Sequence, residues 1–190
     1  AEKPEDIFKR LSKKPVFKKS MIDLPSAYSV EKSRGYLESR AIFNGKFYYA
    51  ENFQEYVNTI KPNTFEDTRF GEPRIVIPLI RDEQLIGIQG RALSSNPIKY
   101  LTIMLDEDAP KIYGLDNINS ESTVYITEGP FDSTFLSNAI AMCGADLVQR
   151  DWGISDCCWV FDNEPRSREI TRRISDVIER GEKVVIWPSN

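Results

Sequence analysis

Two short apolar runs, each ending in carboxylates, do most to limit what this chain can fold into. The first, V-Y-I-T-E-G-P-F-D, runs from Val124 to Asp132, and the second, C-W-V-F-D-N-E, from Cys158 to Glu164. Near-continuous hydrophobic runs of this length read as buried parallel strands. In an open α/β sheet, ligands collect where such strands end. Glu128, Asp162 and Glu164 are therefore expected around one spot. Asp132 falls in the first turn of the helix that Gly129-Pro130 introduces, where an acid also suits the helix dipole. Residues i and i+2 of an extended segment face the same way, so Asp162 and Glu164 are expected to face one ion or an ion pair. Carboxylates ~4 Å apart repel by about 4 kcal/mol at an effective dielectric near 20. Such a cluster needs a cation, a shared proton or a base. With no histidine anywhere, oxygen-only donors point to magnesium or manganese rather than zinc.

The surrounding pattern sets the architecture. After Ser122 the periodicity predicts strand 123–127, helix 132–141, a short strand near 147–149 or none, strand 157–162 closed by Pro165, helix 167–180 stopped by Gly181, and strand 183–187. Strands alternating with helices make βαβ units around a parallel sheet. Upstream, a helix is expected from Ser29 as N-cap, with Val30, Arg34, Leu37 and Ala41 on one face. Phe43–Tyr49 is β-prone around Asn44-Gly45. A second helix covers 53–60, with Phe53, Tyr56, Val57 and Ile60 on one face. Strands 74–80 and 84–88 flank the turn Arg81-Asp82-Glu83, with an edge or bulge at Pro78. Further strands are expected at 98–105 and around 111–115. The fold class is thus α/β, a parallel sheet flanked by helices and preceded by a smaller mixed subdomain. The division is a basic arm (1–27), a first subdomain (28–117) and a second domain (118–190).

Charge and composition narrow the class. The 190 residues carry a net charge of −4, yet residues 1–20 hold seven Lys/Arg against three acids, leaving the rest at −8. An acidic body argues against a simple nucleic-acid-coating protein but suits phosphate chemistry mediated by bound cations. The basic arm reads as a solvated tether or a nucleic-acid contact. No apolar run approaches the ~20 residues of a spanning helix, and no signal peptide is visible. Cys143, Cys157 and Cys158 lack zinc spacing and read as reduced core residues of a cytosolic protein. The chain starts without Met and stops just past a strand, so a fragment of a longer protein is expected.

A third set is basic. Arg74 opens a strand, Arg91 follows a glycine, Lys99 precedes Tyr100, and Lys111 lies two before Tyr113. Any one of them also reads as an exposed cation without function. Together, at strand ends beside aromatics or glycine, they are the mix that contacts phosphates while bases or riboses stack.

The ordered motifs resemble a known family. Glu-Gly-x-x-Asp on a strand–turn–helix, followed by a strand ending in Asp-x-Asp/Glu, resembles the Toprim domain. Y-L-E-S-R (36–40), R-I-V-I-P-L (74–79), Q-G-R-A-L (89–93), P-I-K-Y-L (97–101) and K-I-Y-G (111–114) occur in the order seen in DnaG-type primases. E-G-P-F-D-S-x-F-L and W-V-F-D-N-E-P-R look like the primases of T-even-like bacteriophages. The resemblance implies RNA primer synthesis from NTPs on single-stranded DNA by two-metal nucleotidyl transfer, in the cytoplasm of a bacterial host, beside a replicative helicase and away from membranes. It implies Glu128, Asp162 and Glu164 as catalytic and metal-binding acids, Asp132 as a supporting ligand, and Arg74, Arg91, Lys99 and Lys111 as nucleic-acid and NTP contacts. Glu164 departs from the more usual Asp. The zinc module and the last acidic motif of such primases are not among these residues, which puts the activity of this stretch alone in question.

Three other readings use the same residues. A Toprim nuclease would hydrolyse phosphodiesters with the same acids, and a non-catalytic nucleic-acid or helicase-binding module would keep the fold without the chemistry. A receiver-like domain ranks last, since Lys183 precedes its strand instead of ending it.

Overall fold

The computed structural model describes residues 22–144, 154–164 and 166–188, which form two sheets in contact. The first grows from the hairpin expected near residue 82. β2 (Arg74–Arg81) and β3 (Gln84–Ala92) pair antiparallel, with β1 (Tyr48–Ala50) beside β2 and β4 (Tyr100–Met104) beside β3. All of β2 except its last residue is buried, because both of its faces are covered. Val76 and Ile80 pack with Phe53, Tyr56, Val57 and Ile60 of the second helix, α2 (Phe53–Ile60). Ile75 and Ile77 pack on the other side with Leu37, Phe47 and Phe131. Two-sided burial explains the unbroken apolar run. β1 pairs only with Arg74–Val76, so β2 is an edge at Pro78, and the register shifts between Leu79 and Ile80.

Local signals explain most boundaries. Asn52 caps α2 by accepting the Glu55 N–H at 3.0 Å. The first helix, α1 (Glu31–Glu38), corrects the reading of Ser29 as cap: Val30 holds that position, and the Ser29 hydroxyl instead donates to the Ser26 carbonyl. Ala41, expected on the same helical face, lies beyond its end with φ of 56°. Residues 22–27 are not part of a tether. Ala27 is fully buried, its N–H donates to the Phe47 carbonyl, and Ile22 and Leu24 pack on the α2 cluster. Residues 1–21, the possible strand near 147–149 and Pro165 lie outside the described residues.

The second sheet has the order β5-β7-β6-β8-β9, formed by β5 (Ile112–Tyr113), β6 (Val124–Thr127), β7 (Ala139–Met142), β8 (Cys157–Val160) and β9 (Lys183–Val184). All neighbours run parallel except β5, which is antiparallel to β7. One expectation is overturned. In place of a helix over 132–141, the chain makes one turn of helix, α3 (Pro130–Ser133), and Ala139–Met142 forms a strand. A short run such as A-I-A-M carries no period that separates strand from helix, and here the slot beside β6 decides. Phe135, assigned to the helix's apolar face, is 60% exposed. The last helix, α4 (Arg168–Glu179), begins at the Ser167 cap and ends before Gly181 (φ 72°). Ile170 and Val177 of α4 pack on Ile126, Trp159 and Phe161.

The two sheets meet through aromatics and polar clasps. Phe131 of α3 sits edge-on to Phe47 at 5.1 Å and beside Tyr36 at 6.2 Å. Asn44 donates to the Thr134 carbonyl. Asp116 accepts the N–H groups of Asp82 and Glu83 at the hairpin tip. The described cysteines are free thiols, and burial pushes Cys143 up to about 12. Among the described residues no helix is long and apolar enough to cross a membrane.

Candidate active site

Parallel pairing of β6 with β8 places their carboxyl ends side by side, Thr127 opposite Val160. Glu128 and Asp162 follow directly and meet, the Asp162 N–H donating to Glu128 Oε2 at 3.0 Å. The preceding residue is held from behind. Phe161 stacks on Trp159 at 5.8 Å, and its carbonyl accepts the Trp187 indole N–H at 2.8 Å.

The Asp162 charge reaches two other carboxylates, Glu128 and Asp132. Partial burial raises the Glu128 carboxyl above its ordinary value; the nearby Asp162 charge adds to this and Arg173 opposes it. Burial also raises Asp132, again reinforced by Asp162. Asp132 also sits at the helix start, where the backbone N–H groups of Gly129 and of Asp132 itself hold its carboxyl down against that rise. This is the first-turn position at which an acid suits a helix start.

Glu164 is placed differently from the expectation. β8 ends at Val160, and Glu164 donates its N–H to the Asp162 carbonyl at 2.8 Å. This i to i+2 bond makes a tight turn, so the same-face rule for extended chain does not apply to Asp162 and Glu164.

The basic set separates into three kinds. Arg74 is 2% exposed and works inside the fold: it pairs with Glu72 and donates to the carbonyls of Gly90 (2.8 Å) and Ile98 (2.9 Å). This corrects its reading as a phosphate contact, because its guanidinium is committed to internal acceptors. Gly90 permits the packing: a Cβ there would come within 2.6 Å of the Phe53 ring and 2.9 Å of Arg74 Cδ. Lys99 and Lys111 are exposed at strand starts. Arg91 lies against two rings, 4.7 Å from the Tyr100 centroid and 5.5 Å from that of Tyr36. Among the described residues, its Nε and the Tyr36 hydroxyl are buried without a hydrogen-bond partner.

Sequence reasoning did not single out Tyr36, Arg40, Tyr100 or Arg173 as site residues. Arg40 lies over the Tyr36 ring at 4.9 Å. Both Arg40 and Arg91 act electrostatically on Tyr100, as does Asp132. Two tyrosines and two arginines, Tyr36 of α1, Arg40 just after it, Arg91 of β3 and Tyr100 of β4, therefore form one cluster, and Asp132 of α3 lies near enough to act on it while itself feeling Asp162. The i, i+4 spacing of Tyr36 and Arg40 was the signal in the sequence. Arg173 joins from α4, donating to Glu128 Oε1 at 2.6 Å.

The donors suit a hard divalent cation in kind. Among the described residues, no three acids or cysteines converge closely enough to enclose one ion. Magnesium sites in phosphate-handling enzymes commonly use one or two carboxylates, completed by substrate phosphates and water. Asp162 with Asp132 or Glu128 fits that requirement.

Comparison with known proteins places the fold. No family model matches the chain. The DNA primase of Enterobacteria phage T4 is 35% identical across 98% of this chain. The chain is a relative of that primase. It spans 56% of the T4 protein's length. The crystal structure of the Aquifex aeolicus primase, comprising zinc-binding and RNA polymerase domains, matches with a TM-score of 0.61 at 20% identity, over 87% of this chain and 52% of that one. A DnaG primase catalytic domain bound to single-stranded DNA matches with a TM-score of 0.57 at 16% identity, over 85% and 65% respectively. The fold is that of a primase catalytic core.

Proposed function

We propose that this chain is the nucleotidyl-transfer core of a phage DNA primase, which makes short RNA primers on single-stranded DNA from NTPs. The observation that carries the reading is the cluster of Arg40, Arg91, Tyr36 and Tyr100 beside Asp132, which in turn lies near Asp162. Cations between aromatics suit a phosphate chain whose bases stack, and acids beside them suit the cation that phosphoryl transfer uses. The T4 relative and the single-stranded DNA bound to the matching DnaG domain support it.

In this reading an RNA 3′-hydroxyl, or that of the first nucleotide, attacks the α-phosphate of an NTP, and pyrophosphate leaves. Asp162 with Asp132 and Glu128 would hold Mg2+ or Mn2+, which would neutralise charge on the transferring phosphate. Arg91 and Arg40 hold the triphosphate or template backbone, and exposed Lys99 and Lys111 add phosphate contacts at the rim. Glu164, exposed on its turn two residues after Asp162, is a further acid near this end of β8. The protein acts in the cytoplasm of a bacterial host, with a replicative helicase as partner.

Incubating the full-length protein with single-stranded DNA, labelled NTPs and Mg2+ or Mn2+ tests this. Template-dependent short RNA is the expected product. Labelled DNA fragments without RNA would identify a nuclease instead, and DNA binding with neither product would identify a non-catalytic module.

A further inference from the structure

Helix α4 brings one side chain to the acids that the proposed chemistry does not use. Arg173 Nη1 donates to Glu128 Oε1 at 2.6 Å, while Nη2 donates to Glu169 Oε1 at 2.7 Å. The other Glu128 oxygen accepts the Asp162 N–H. Both oxygens of Glu128 are thus engaged, and its charge is already matched by a cation of the chain itself. The three side chains grade from cleft to water: Glu128 is 23% exposed, Arg173 39% and Glu169 72%. Glu169 sits one helical turn before Arg173 on the same helix, so it can keep the guanidinium when Glu128 turns away. Release of Glu128 then leaves no buried charge unpaired.

We propose that Arg173 is a positioning residue, the exchangeable counter-ion of Glu128: it holds that carboxylate against α4 until a divalent cation takes it, and Arg173 then remains on Glu169. This rests on the reading of the acids as a cation site. A fixed positive charge beside the cluster competes with an incoming divalent ion, so removing it favours binding. Glu128 would be a ligand gained on loading and not a preset one, which agrees with the absence of a converged three-acid set among the described residues.

Mn2+ binding followed by electron paramagnetic resonance, without nucleotide, tests this on the full-length protein and three variants. Arg173→Met is expected to bind Mn2+ roughly fivefold to tenfold more tightly than the wild type. Arg173→Lys keeps the charge and is expected to stay within about twofold. Unchanged or weaker binding by a folded Arg173→Met overturns the exchange. Asp162→Asn separates the two levels: loss of Mn2+ binding supports the site, whereas wild-type binding removes the cation-site reading and this inference with it.

Discussion

The backbone N–H of Asp162 is bonded to the side chain of Glu128 at 3.0 Å. That bond ties the ends of two neighbouring parallel strands, and it makes one acid of the cluster a structural support for the loop that carries another. A carboxylate with both oxygens engaged differs from one free to ligate, so substitutions at Glu128 and Asp162 should act differently. Glu128→Gln loses the pairing with Arg173 but can still accept the Asp162 N–H. Asp162→Asn keeps its backbone donor and loses only charge at the cleft.

The buried pair of Arg74 and Glu72 predicts a stability effect. Arg74→Met leaves Glu72, itself only 16% exposed, without its cation, and it strips donors from two carbonyls. Breaking a buried pair in this way costs about 3–5 kcal/mol. Denaturant melts of Arg74→Met and Lys99→Ala should show a large loss for the first and almost none for the second. Equal, small losses would return Arg74 to the surface.

Arg91 predicts a binding effect. Its guanidinium lies against the Tyr36 and Tyr100 rings, and that contact is worth ~0.5–1 kcal/mol. Arg91→Met should weaken single-stranded oligonucleotide binding and flatten its salt dependence by about 0.7 in slope per lost phosphate contact. Lys99→Ala should flatten it similarly if Lys99 touches phosphate. A slope unchanged in both variants would remove these residues from the backbone path.

Asp132 predicts a pH effect. Its carboxyl is raised by burial and by Asp162, so the folded state holds this proton more tightly than the unfolded chain does. Stability from this source is present below the ordinary carboxylate pKa and falls as pH rises through the raised one. Above that window the ionised Asp132 is a cost. With EDTA present, Asp132→Asn should melt above the wild type at pH 7, with the gain shrinking toward pH 4. A variant less stable at both values would mean that the carboxylate's attraction to the Gly129 N–H outweighs the cost of its charge.

The apolar packing behind the acids predicts a core effect. Ile126 is 2% exposed and packs with Trp159 and Val177 elements of the same cluster. Ile126→Ala should destabilise by about 2–5 kcal/mol, measured by the same melts, while leaving any residual folded protein able to bind DNA. A loss under about 1 kcal/mol would show that the site's scaffold repacks easily.

Much of this was legible locally. Helix 53–60 and the hairpin at 74–92 announced themselves through periodicity, capping and turn residues. The adjacency of Glu128 and Asp162 followed from two strand-like runs ending in acids. What the sequence hid depended on neighbours distant in the chain. Ala139–Met142 became a strand because β5 and β6 leave a slot for it. Arg74 looked like a strand-end cation, but its acceptors come from Glu72, Gly90 and Ile98. Arg173 carried no local mark, and only the pairing of β6 with β8 beneath α4 gives it meaning. Glu164 was read by an extended-chain rule that its tight turn does not obey.

The central claim is that the acids beside the arginine–tyrosine cluster carry nucleotidyl transfer. Template-dependent dinucleotide synthesis by Asp162→Asn, compared with wild type at matched melting temperature, tests it most directly. Synthesis should fall by at least about a hundredfold, the scale expected when a charge-stabilising group at the reacting phosphate is removed, while oligonucleotide binding persists. Undiminished dinucleotide formation by the folded variant would contradict the account.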